Sequence, residues 1–248
     1  MLNIGKRLSI SVCTLVILGA FTIFLSNMSI AQAAATATKA APAAATAPQE
    51  TKIPAGSSLL AAPKSLGIDV TAAMQDRVLG NPKAPVTIIE YASLTCPHCA
   101  HFDKEILPQV KKQLIDTGKA KLVFRDFPLD KFALKAAMMA RCVSPLKYFD
   151  MIDVLFQNQQ RWIKAKDPMA ALAQLGSLAG MDGSQFNACM QSKGLESDII
   201  MNMKKAESQY KVDATPTFIF NNGAAQFAGA YPVTKFEEIV ASLTPKGK

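Results

Sequence analysis

The period of the apolar positions changes several times along this chain. Leu8 to Leu25 is a largely apolar run behind the basic pair Lys6 and Arg7, followed by the small-residue stretch Ser29-Ile30-Ala31-Gln32-Ala33. That order is the layout of a secretory signal peptide over residues 1–33, with an Ala-x-Ala cleavage site. The run is also long enough to remain as an uncleaved membrane anchor. Cys13 lies inside the run and not at its end, which argues against a lipoprotein signal. From Ala34 to Pro54 the chain is Ala, Thr, Pro and a few Lys, with no apolar residue large enough to build a core. Residues 34–66 therefore read as a flexible tether. Ser57 to Leu66 and Val70 to Val78 hold enough apolar residues for a short helix.

Beyond the tether the pattern becomes that of a folded unit. "VTIIEY", Val86 to Tyr91, is β-branched, follows Pro85 and predicts a buried strand. Phe102, Ile106, Val110 and Leu114 recur every fourth residue and predict a helix to about Asp116, kinked at Pro108 and ended by Gly118. Lys121 to Phe127 predicts the next strand. From about Asp130 the period is helical. Helices are predicted around Leu134, Met138 and Cys142, over Leu146 to Gln157, from Asp167-Pro168 to Gly180, over Ser184 to Met190, and over Leu195 to Tyr210. Strand character returns at Thr217 to Phe220, and Asn222-Gly223 predicts a hairpin into "AQFAG". A last helix is predicted from a capping box of Thr234 with Glu237. The sequence shows no internal repeat.

Charge narrows the partners. The formal net charge is +8, and +8 less the two charges of Lys6 and Arg7 is +6 for an exported form. There is no dense basic run interleaved with aromatics, so no nucleic-acid partner is expected. Export also changes how the cysteines read. Without Cys13 four remain, Cys96, Cys99, Cys142 and Cys189, and an even number in an oxidising compartment favours disulfides. Cys142 and Cys189 fall on predicted helices and are expected to form a structural bridge; the alternative is two buried free thiols.

The candidate chemistry sits in "TCPHCAHF", Thr95 to Phe102. A c-type haem needs histidine directly after the second cysteine, and residue 100 is alanine. Structural zinc needs a second cysteine pair or two separated ligands, and His98 and His101 share the same short stretch, so no metal is expected. A bridge closing so small a loop would add little stability. Redox exchange fits better. Cys96 stands where a helix begins, with Pro97 suited to its first position. Unpaired N–H groups and the positive end of the helix favour a thiolate there, with His98 adding to the effect. Stabilising that thiolate makes the Cys96–Cys99 disulfide an oxidant, and no separate cofactor is needed. Cys99, one turn on, is placed to close the ring. Far along the chain "DATPTFIF" sets Thr215-Pro216 before a strand, where a proline leaves neighbouring backbone free for an extended substrate; an ordinary strand-initiating proline is the alternative.

Taken together, "GNPKAPVTIIEYASLTCPHC", "RDFPLD" and "DATPTFIF" resemble the DsbA family of thioredoxin-fold oxidases over about residues 69–245. The resemblance implies an α/β thioredoxin fold, a central mixed sheet flanked by helices, formed by residues 67–129 and 210–248 with an all-helical domain inserted at 130–209. It implies Cys96 as the nucleophile and Pro216 as a cis proline facing the disulfide, with Thr215 beside the sulfurs. Glu90 matches a position where the family often has a buried acid, and is a proton-relay candidate or a solvent-facing strand residue. His101 is expected on the helix surface. Trp162 and the methionines Met138, Met139, Met201 and Met203 are expected in packing or groove lining.

The function expected is disulfide introduction into reduced exported proteins in the periplasm, with reoxidation by a membrane partner of the DsbB type. The Ala/Pro tether lacks a large dimerisation domain, which favours a monomer, with a small oligomer left open. The alternatives are an oligomeric isomerase or reductase of the same fold, and a non-catalytic module holding metal or clients.

Overall fold

The computed structural model describes residues 67–245. The signal peptide with Cys13, the tether and the helix expected for Ser57 to Leu66 lie outside the described residues. Five strands form one sheet in the order β1-β3-β2-β4-β5. They are β1 (Arg77–Leu79), β2 (Val86–Ala92), β3 (Ala120–Asp126), β4 (Thr217–Phe220) and β5 (Ala225–Ala228). β2 runs parallel to β3 and antiparallel to β4; β1 and β5 are antiparallel edge strands. The order is a mixed sheet with β2 inside it, which explains why "VTIIEY" is apolar on both faces.

The first difference from the sequence pattern lies at its start. Only Val70–Ala73 (α1) is helical in the Val70 to Val78 stretch, and Arg77–Leu79 is strand. Asp69 caps α1 by accepting from the Ala72 N–H. Arg77, Val78 and Leu79 then pair with Phe124, Val123 and Leu122, and a pairing three residues long is set by tertiary contact, not local period.

The long helix after β2 is continuous but changes pitch. α2 (Pro97–His101) passes through a π turn at Phe102–Ile106 into α3 (Leu107–Val110) and a second π turn at Lys111–Ile115. Pro108 has no N–H to give the carbonyl one turn back, and the helix widens just before it. Phe102, Ile106, Val110 and Leu114 still line one buried face, packed with Val86, Ile88, Leu122, Phe218, Phe220 and Phe236.

Between β3 and β4 the chain is helical: α4 (Lys131–Cys142), α5 (Tyr148–Gln157), α6 (Gln159–Ile163), α7 (Pro168–Leu178), α8 (Gly183–Gln191) and α9 (Lys193–Tyr210). Asp130, Asp167, Asp182 and Ser192 each accept N–H bonds at a helix start. α5 begins two residues later than the apolar pattern suggests, because Pro145–Lys147 forms a 3-10 turn. Met138, Met139 and Trp162 are buried, and the Trp162 indole donates to the Leu155 carbonyl at 2.9 Å. Met203 is partly buried and Met201 is exposed. The Cys142 and Cys189 sulfurs are bonded, joining α4 to α8.

α10 (Val233–Leu243) closes the chain, and the capping box expected from Thr234 and Glu237 is absent. Pro232 is the cap residue and no side chain caps the helix, so Thr234 already lies inside it. Pro232 has extended backbone and Val233 is buried, which starts the helix two residues early. The β4–β5 hairpin turns at Asn221, Asn222 and Gly223, all with positive φ, a region that asparagine and glycine tolerate best.

Candidate active site

Cys96 is the cap residue of α2 and Pro97 its first residue. The loop that delivers Cys96 is fixed on three sides. Thr95 Oγ1 donates to Asp130 Oδ2 at 2.6 Å, the same carboxylate that caps α4. Ser93 Oγ accepts from the Leu129 N–H at 3.3 Å. Buried Gln159 reaches in from the helical insertion, its Nε2 donating to the Leu94 carbonyl at 3.0 Å and the Cys96 carbonyl at 2.9 Å. Sequence reasoning missed Gln159. A glutamine sixty residues away carries no local signal that it will satisfy two buried carbonyls.

The two thiols are free and differ in access: Cys96 is 6% exposed and Cys99 not at all. The Cys96 thiol donates to the Thr215 carbonyl at 3.3 Å, so Thr215 and Pro216 lie against the sulfur although 119 residues separate them. The Thr215–Pro216 bond is cis. Pro97 and His98 are exposed beside Cys96, and His98 faces a groove with Ala214, Thr215, Gly229, Tyr231 and Pro232. His101 points to solvent.

The electrostatics separate the sulfurs further. The Cys96 thiol is lowered to about 5, first by the hydrogen bond from Cys99 and then, against burial, by the Thr215 side chain and the N–H groups of Cys99 and His98. As a thiol Cys96 caps nothing. Ionised, its sulfur becomes the acceptor that the α2 N–H groups and the otherwise unpartnered Thr215 hydroxyl lack. Cys99 is pushed up by burial and by the neighbouring Cys96 sulfur.

Glu90 sits on the central strand β2, between Phe124 of β3 and Phe218 of β4, and is 2% exposed. It is not a solvent-facing residue. Its Oε1 has no partner, and burial, then Asp103, hold its carboxyl well above the usual range. Among the described residues no group of three or more His, Cys, Asp or Glu is arranged to hold a metal.

A depressed Cys96 thiol has a stability consequence. In the reduced protein the folded state binds its proton more weakly than the ordinary thiol value of 9.0, so the thiolate's contribution is fully present above that value and lost as pH falls through about 5. The oxidised protein has no Cys96 proton to titrate. The gap in denaturant midpoint between reduced and oxidised protein is therefore expected to grow in favour of the reduced form from pH 5 toward 9. Thr215→Val is expected to move the low-pH edge upward, by about tenfold in the thiol's acidity constant for one lost charged hydrogen bond. Thiolate absorbance against pH gives the same edge directly, and an edge unmoved in Thr215→Val would remove that hydroxyl from the account.

A redox-ready cysteine pair at a helix start, with an X-Pro loop beside it on a mixed sheet, is the site of a thioredoxin-fold protein, and a family model described as Thioredoxin matches residues 72–240. Within that class the chain belongs to the DsbA family. It is similar to the solved structure of alpha-DsbA1 from Wolbachia pipientis, at 31% identity and a TM-score of 0.62, covering 68% of this chain and 91% of that one. It is also similar to a Novosphingobium aromaticivorans structure titled protein-disulfide isomerase, at 26% identity and a TM-score of 0.59, covering 68% and 98%. Among curated proteins, one named as a protein-disulfide oxidoreductase in Rickettsia prowazekii is 35% identical over 59% of this chain and 54% of its own length. The chain thus spans about half the length of the curated relatives it matches.

Proposed function

We propose that the protein is a periplasmic thiol:disulfide oxidoreductase that introduces disulfides into reduced exported proteins through Cys96 and Cys99. The observation that carries this reading is the asymmetry of the pair: Cys96 reaches the surface against Thr215, while Cys99 is closed off behind it. A substrate thiolate attacks Cys96 of the disulfide, and Cys99 leaves as a thiolate that must be protonated in a buried setting. A second substrate thiolate then attacks the substrate's own sulfur in the mixed disulfide. The substrate disulfide forms, and Cys96 leaves as the stabilised thiolate. Two electrons pass from the two substrate thiols to the Cys96–Cys99 pair. Glu90, buried and held protonated, is the proton donor to Cys99.

Thr215, Pro216, Pro97 and His98 line the substrate side, and Cys142–Cys189 is structural. Residues 67–129 and 210–248 act as the redox domain, with 130–209 as a helical domain that braces the active-site loop through Gln159. No cofactor beyond the cysteine pair is required. A membrane protein of the DsbB type restores the disulfide. The exported location rests on the N-terminal segment, cleaved or kept as an anchor; among the described residues no helix is long and apolar enough to cross a membrane. The name of the Novosphingobium relative keeps isomerisation as the second reading.

The test pairs two substrates. The oxidised chain is given a reduced, unfolded protein with several cysteines, and the reduced chain the same protein with scrambled disulfides. Fast oxidation with slow unscrambling is the expected result. The reverse would make the protein an isomerase, and no reaction with either would end the exchange reading.

A further inference from the structure

The buried face between the sheet and α5 holds two acids at different depths. Glu90 lies at the bottom, on β2. Asp103 lies four residues after Cys99, on the same side of the helix, in the π turn that follows α2. Asp103 is 7% exposed, and its Oδ1 has no partner, like Glu90 Oε1. Asp153 projects from α5 at the protein surface, where Gln157 Nε2 donates to it at 3.1 Å. A buried carboxyl with an open acceptor is costly to keep and offers a place for a proton.

We propose that Asp103, with Asp153 at its outer end, is the conduit that carries a solvent proton to Glu90 and through it to the leaving Cys99 sulfur. The proposal rests on the exchange chemistry above and extends it from the buried acid to the surface. The proton count closes. Glu90 gives its proton to the Cys99 thiolate, Asp103 gives its own to the Glu90 carboxylate, and solvent reprotonates Asp103 by way of Asp153. No redox change occurs in the path itself.

The charged surroundings fit that direction. The Asp103 carboxyl is raised to about 7, by burial first and then by the charge of Asp153 and the proton it shares with it. Lys104 opposes this, but its ammonium is drawn to the Gln157 carbonyl at 3.5 Å. Facing Glu90 are Asp103, Cys99 and, from the start of α5, the buried Tyr148 hydroxyl. Arg141 and Arg77 stand over the Tyr148 ring, with Arg141 bonded to Asp126, so none of these cations is spent on Asp103. Asp103 is thus a positioning residue, acting on the sulfurs only through Glu90.

The test is single-turnover reduction of the oxidised full chain by reduced glutathione across pH 5 to 9, with each rate divided by the thiolate fraction of glutathione. For the wild type the normalised rate is expected to fall as pH rises through about 7, where Asp103 loses its proton. Asp103→Asn is expected to lower the acid-side rate about three- to tenfold, well below the effect of removing a direct proton donor, and to abolish the fall. Asp103→Glu is expected to restore it. Asp153→Asn, at an exposed position that leaves the core intact, removes the like charge and is expected to move the fall to lower pH. If Asp103→Asn keeps the wild-type profile, or Asp153→Asn leaves its midpoint in place, the conduit is overturned while exchange through Cys96 stands. If the wild-type disulfide does not react with glutathione at all, the exchange reading and the conduit fall together.

Discussion

Cys99→Ala is expected to turn the protein into a trap, with mixed disulfides to client proteins accumulating through Cys96. The variant has no disulfide to donate, so catalytic oxidation is abolished. Its Cys96 keeps the α2 N–H groups and the Thr215 hydroxyl around the sulfur, and remains a thiolate that is captured readily. It loses the nucleophile one turn on that would release a bound client. Cys96→Ala is expected to trap on the order of a hundredfold less, because the remaining Cys99 is fully buried and its thiol is pushed up, and only the thiolate reacts. Non-reducing gels of the two variants, with mass mapping of the bridged peptide, read the difference. Equal trapping by both, or bridges mainly through Cys99, would reverse the assignment of roles.

The second large effect concerns stability. Cys142 and Cys189 close a loop with a sequence separation of 47, and tie α4 to α8 across the helical insertion. In the chain-entropy account a loop of this size constrains the unfolded state by about 4 kcal/mol. Replacing both cysteines by alanine is expected to lower Tm by about 10 °C for a chain of this size. The exchange chemistry at Cys96 should be unchanged, because neither sulfur contacts the loop that Gln159, Ser93 and Thr95 hold. Calorimetry of the oxidised double variant beside the wild type is the measurement. A Tm within about two degrees of the wild type would mean that the unfolded ensemble is already compact without the bridge.

Local pattern already contained most of the elements and the reacting pair. β2, β3 and β4 are dense in β-branched and aromatic residues, and the insertion helices carry Asp or Ser at their starts. Such signals act over a few residues and survive in any context. The CPHC stretch was legible for the same reason: a proline after the first cysteine and a turn of spacing to the second are local facts. Where competing local features met, pattern reading failed. β1 looked helical until pairing with β3 claimed it, and Pro232 with buried Val233 displaced the capping box expected at Thr234.

What only the tertiary structure decided is who stands next to whom. Nothing near Glu90 in sequence says whether it faces solvent, because burial of a single acid depends on the strands either side of it; β3 and β4 enclose it. Asp103 and Asp153 are fifty residues apart and meet only because α5 packs on the π turn after α2. Gln159 becomes part of the active-site loop by reaching two carbonyls from another element. Thr215 is brought to the Cys96 sulfur by the antiparallel seating of β4 on β2. Burial and long-range polar partners are properties of packing, and the physical cost of an unmatched charge or carbonyl is settled only when that packing exists.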